Sequence, residues 1–102
     1  MVNKTFLQTI VDAEIQRMPS ETRIKLFELY KTYEDLLSSR ARPGDTELVT
    51  ALRRALKECS ERGDLPNERR FKNDIRWANR HAKDAGMLKH VGTSRSGEWV
   101  RI

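Results

Sequence analysis

Between Asn67 and Ala85 the chain sorts its residues by face more strictly than anywhere else. Advancing 100° per residue, the α-helical step, places Phe71, Ile75, Ala78, Ala82 and Ala85 within about 40° of one direction. The opposite side carries Arg69, Asn73, Arg76 and Arg80, with Lys72, Asn79 and Lys83 on one flank. Such a stripe predicts a helix with one side against a core and the other in solvent. Asn67, or Pro66 before it, opens this segment, with Glu68 in the first turn where the helix dipole favours an acid. Gly86 supplies the stop. Trp77 and His81 sit on the boundary, and Trp77 is expected to pack against an earlier helix.

Beyond Gly86 the periodicity changes. Met87–Val91 and Glu98–Ile102 are short β-prone runs, and Gly92-Thr93-Ser94-Arg95-Ser96-Gly97 between them is turn material. A β-hairpin with Arg95 near its tip is predicted to follow the helix directly.

Three further helical segments precede these elements. Segment A, from about Asn3 to Met18, has Phe6, Leu7, Ile10, Val11 and Ile15 at helical spacing, with Asn3 or Thr5 as cap and Pro19 as stop. Segment B opens at Ser20 and runs to about Ser39 with Leu26, Tyr30, Tyr33 and Leu37 in one stripe, widened by Ile24, Phe27 and Leu36. After the break at Arg42-Pro43-Gly44-Asp45, segment C starts at Asp45 or Thr46 and buries Leu48, Val49, Leu52, Ala55, Leu56 and Cys59 before ending at Gly63.

The fold class expected is therefore mainly α with a C-terminal β-hairpin: a winged helix-turn-helix with segment A as an extra N-terminal helix. Residues 1–42 would form a helical hairpin and 43–102 the winged unit. The apolar residues of A and B cover more than a narrow stripe, which suggests a homodimer through them.

Charge reinforces the picture. Residues 1–52 hold seven Lys/Arg against eight Asp/Glu, a balance of −1, while residues 53–102 hold thirteen against seven, a balance of +6. All the excess of the +5 chain lies in the second half, a field that attracts a polyanion. Arginine pairs with guanine and asparagine with adenine by two hydrogen bonds each in the major groove, and further cations neutralise phosphates.

The residues Arg70-Phe71-Lys72-Asn73-Asp74-Ile75-Arg76-Trp77-Ala78, then Ala82-Lys83-Asp84-Ala85-Gly86-Met87-Leu88, then Gly97-Glu98-Trp99-Val100-Arg101-Ile102 resemble the end of the N-terminal winged-helix domain of Mrr-type restriction proteins. The likeness covers about 35 of the 102 residues and does not extend to segments A and B. It implies a winged fold and double-stranded DNA binding, with Asn73, Arg76 and Arg80 suitably placed. It does not bring the nuclease domain of those proteins, and cleavage is not expected.

The contact set expected is Arg69, Arg70, Lys72, Asn73, Arg76, Asn79, Arg80, Lys83 and Arg95. Enzyme chemistry is not: Cys59, His81 and His90 are scattered singles without metal-ligand spacing, no glycine-rich phosphate loop occurs, and no carboxylate pair stands out. No cofactor, metal or small-molecule ligand is expected. One cysteine, no run of ~20 apolar residues and no secretion signal point to a cytoplasmic, nucleoid-associated regulator or architectural factor. The alternative is a winged-helix protein-interaction module docking an acidic partner. Exposed aromatics that would favour single strands are not evident on the basic helix.

Overall fold

The computed structural model describes residues 4–31, 33–38, 40–92 and 97–102. The chain is mainly helical with a small three-stranded antiparallel sheet. Its elements are α1 (Phe6–Arg17), β1 (Arg23–Lys25), α2 (Leu26–Lys31), α3 (Tyr33–Ser38), α4 (Glu47–Glu61), α5 (Glu68–Asp84), β2 (Leu88–His90) and β3 (Glu98–Arg101).

Local chemistry explains the helix boundaries. At α1, Thr5 accepts from the Gln8 N–H while the Gln8 side chain accepts from the Thr5 N–H, a reciprocal cap. Thr46 caps α4 by accepting from the Val49 N–H at 3.2 Å, and Asn67 caps α5 by accepting from the Arg70 N–H at 2.8 Å. Past α5, Gly86 takes φ +78°, a left-handed conformation that glycine adopts without strain, and the Met87 N–H returns to the Ala82 carbonyl at 2.8 Å.

Segment B is corrected by the structure. Rather than one helix from Ser20, residues 19–22 form a turn in which the Thr22 N–H reaches the Pro19 carbonyl, and Arg23-Ile24-Lys25 form a strand. Ile24 is buried between exposed Arg23 and Lys25, a period-two pattern hidden by the helix-spaced apolar residues after it. This strand joins the hairpin edge, giving the order β1-β3-β2, with Ile24 opposite Trp99 and Trp99 opposite His90. The pairing extends past the strand ends, from the Arg101 N–H to the Thr22 carbonyl at 2.8 Å and from the Leu26 N–H to the Gly97 carbonyl at 2.9 Å. A lone two-stranded hairpin is marginal in water; here the third strand comes from the N-terminal part of the chain.

The place of the first helix is corrected too. Helix α1 does not stand outside the core but packs along both α4 and α5, with Leu7, Val11 and Ile15 fully buried. One hydrophobic cluster runs from Leu7 to Trp99 and draws on residues from both sides of position 42. The Arg101 guanidinium ties the sheet to α1 through the Ile15 carbonyl at 2.9 Å. Among the described residues no helix is long and apolar enough to cross a membrane.

One buried cation escapes the apolar pattern of α4. Arg53, only 7% exposed, donates through Nε to Asp45 at 2.9 Å and through its other nitrogens to the carboxylate and the carbonyl of Asp35, at 2.8 and 3.1 Å. It thereby joins α3, the turn after it and α4. The Arg42 N–H and then the Arg53 guanidinium hold the Asp45 carboxyl below its ordinary value. A depressed carboxyl stabilises the fold fully above its unfolded pKa, and that contribution is lost as pH falls through the lower folded value. Arg53→Met should therefore lower the thermal midpoint by several degrees at neutral pH. The gap from wild type should narrow as the pH drops below about 3.9; calorimetry across that range checks it, and a pH-independent gap would contradict it.

Candidate nucleic-acid interface

Helix α5 is held from its apolar side. Phe71, Ile75, Ala78 and Ala82 are buried as the stripe requires, whereas Ala85 lies at the exposed C-cap. The covered arc is wider than the stripe. On one side Asp74 is buried and accepts from Gln8 Nε2 of α1 at 3.4 Å; burial raises its carboxyl, and hydrogen bonds from Thr5 and Gln8 and the charge of Arg70 oppose the rise.

On the other side Asn79 is 0% exposed, which removes it from the expected contact set. It lies only 80° from the centre of the stripe, on the flank where Lys72 reaches Tyr30 of α2, its Nζ 5.7 Å from the ring centroid. Helix α2 and strand β2 both pack against α5 and broaden the covered arc beyond what the wheel alone suggests. Among the described residues the Asn79 amide has no hydrogen-bond partner at either atom.

The remaining expected residues fall into three groups. Asn73, Arg76, Arg80 and Lys83 come together, all exposed, along one wall of a groove of about 760 Å³. Arg69 and Arg70 are exposed near the start of α5 and do not line that groove; Arg70 lies about 120° around the helix from Arg76. Lys72 is half-buried and paired with Glu68 at 3.2 Å. Arg95 lies outside the described residues.

The facing wall was not legible in the sequence. Leu26 and Tyr30 of α2 and His90, Gly97 and Trp99 of the sheet region complete the groove. Trp99 is 6% exposed and stacks on His90 with ring centroids 3.6 Å apart. Burial, then the charge of Lys83, lowers the pKa of His90. Burial raises Tyr30, and the charge of Arg76 opposes the rise. Among the described residues no carboxylate lines the groove. Among the described residues Arg76, Arg80 and Lys83 form no ion pair. A second depression of about 410 Å³, between the end of α1 and the start of α4, is balanced instead, with Arg23 and Lys25 against Glu28 and Glu47.

Trp77 is also corrected. It does not pack inward but is 52% exposed, edge-on to His81 at 6.1 Å with the Arg80 guanidinium 5.8 Å from its ring centroid. At 120° from the centre of the stripe, its position on the wheel already allowed this. Cys59 is buried, and burial pushes its thiol up, the opposite of what a nucleophilic cysteine needs.

Comparison with protein-family models, with curated proteins and with solved structures finds no match.

Asn79 supplies a test of the geometry. A buried amide without partners costs stability, whereas an apolar replacement of like shape does not. Asn79→Leu should raise unfolding free energy by about 1 kcal/mol in urea titrations. A loss of stability would mean that the amide is satisfied in solution, as by a buried water.

Proposed function

We propose that this chain binds double-stranded DNA as a winged-helix protein, with α5 as recognition helix and the β2–β3 hairpin as wing. The observation that carries the proposal is the exposed row Asn73, Arg76, Arg80 and Lys83, without ion pairs among the described residues, beside the hairpin. Side chains of these types can contact phosphates and base edges without first breaking internal bonds.

Topology supports the fold reading. A helix, a strand, helices, and then a hairpin whose second strand accepts the first strand at its edge is an order compatible with a winged helix. On that reading α1, α4 and α5 are the three core helices, and α2 and α3 are the insertion. The likeness of residues 70–102 to the Mrr-type domain falls on the same helix and hairpin. A regulator or nucleoid-type factor is the role this suits. The apolar stripe of α1 is covered within the chain; DNA binding is proposed for the single chain and does not depend on the homodimer expected through segments A and B.

Arg76→Ala combined with Arg80→Ala should weaken duplex binding by more than about tenfold and reduce the salt dependence by about two counterions. The thermal midpoint should stay within about 2 °C, because both side chains are exposed. Gel shifts at two salt concentrations test this. Equal binding by the double variant would count against the α5 face, and a salt-insensitive complex would favour docking of an acidic protein.

A further inference from the structure

We infer that the groove beside α5 receives an unpaired base stacked on the indole of Trp77, with neighbouring phosphates held by Arg76 and Arg80. The inference rests on the DNA-binding proposal and names the form of DNA that this site prefers: a duplex with a single-stranded end.

Trp77 is the starting point. It shares a groove wall with Arg76 and Arg80 and leaves half of its surface in solvent, although an indole is among the side chains that gain most from burial. Its setting is organised: Arg80 lies over the ring and His81 meets it edge-on. A cation held beside an aromatic face is the combination by which proteins retain single strands, the ring taking a base and the cation its phosphate.

A paired duplex offers little to such a ring. Its bases present only their edges in the grooves, whereas an unpaired base presents a face. Shape points the same way. The space beside Trp77 is concave, about 760 Å³, within the roughly 300–1,000 Å³ of clefts that receive a small-molecule ligand, so it has room for a single splayed base beside the row that faces the duplex. Among the described residues the lining holds no carboxylate to repel a phosphate.

The test is fluorescence anisotropy with a blunt duplex of about 20 base pairs and the same duplex bearing a thymidine tail of about five nucleotides. The tail should tighten binding by the wild-type chain at least about fivefold. Trp77→Ala should abolish that gain while holding blunt-duplex affinity within about twofold, and Trp77→Phe should keep part of it. The only other tryptophan, Trp99, is buried, so the tailed duplex should also quench the exposed fluorophore, and Trp77→Phe should lose the quench. Equal affinity for the two duplexes, or a gain that survives in Trp77→Ala, would overturn the inference while leaving duplex binding standing. Binding to neither probe would overturn both.

Discussion

Phe71 and Ile75 are fully buried on α5, and their removal from water fixes how that helix is presented. Burying such side chains contributes roughly 1.5–3 kcal/mol each, far more than any exposed charge contact. The rotation of α5 about its axis is therefore set by its apolar side, and the basic side takes the direction that is left. Helix α1 is central to this arrangement: it packs along α5 and α4 together, and its Gln8 side chain also meets Asp74 on the margin of the buried arc.

The hairpin owes its position to bonds at its ends. The Met87 N–H returns to α5, Arg101 reaches α1, and β1 closes the outer edge of β3. Bonds to α5, α1 and β1 thus hold the strands beside the cationic row. The groove results from that placement, since neither α5 nor the hairpin alone would make a concavity.

Much of this was legible from residues alone, and the failures have physical causes. The seventeen residues of α5 sustain a 3.6-residue period long enough to be unmistakable, and Asn67 and Gly86 mark its ends. Arg23-Ile24-Lys25 was lost because three alternating residues cannot outweigh the helix-spaced residues after them; only the partner strand, some 75 positions away, makes a strand there. Asn79 was misplaced because a wheel knows the centre of a buried stripe but not its width, which depends on α2 and β2. The apolar character of Trp77 predicts an inward side chain, while its angle on the wheel allows the exposure observed. Arg53 was hidden because a cation on a buried face becomes acceptable only when carboxylates from other segments surround it.

The central claim is that the outward row of α5 and the neighbouring strand residues form the surface that nucleic acid covers. Titrating isotope-labelled protein with a short duplex and following its backbone amide resonances tests this directly. Perturbations should concentrate in residues 73–83 and 97–99 and leave the exposed side of α4 unmoved. Perturbations centred on 47–61 instead, with α5 silent, would contradict the account.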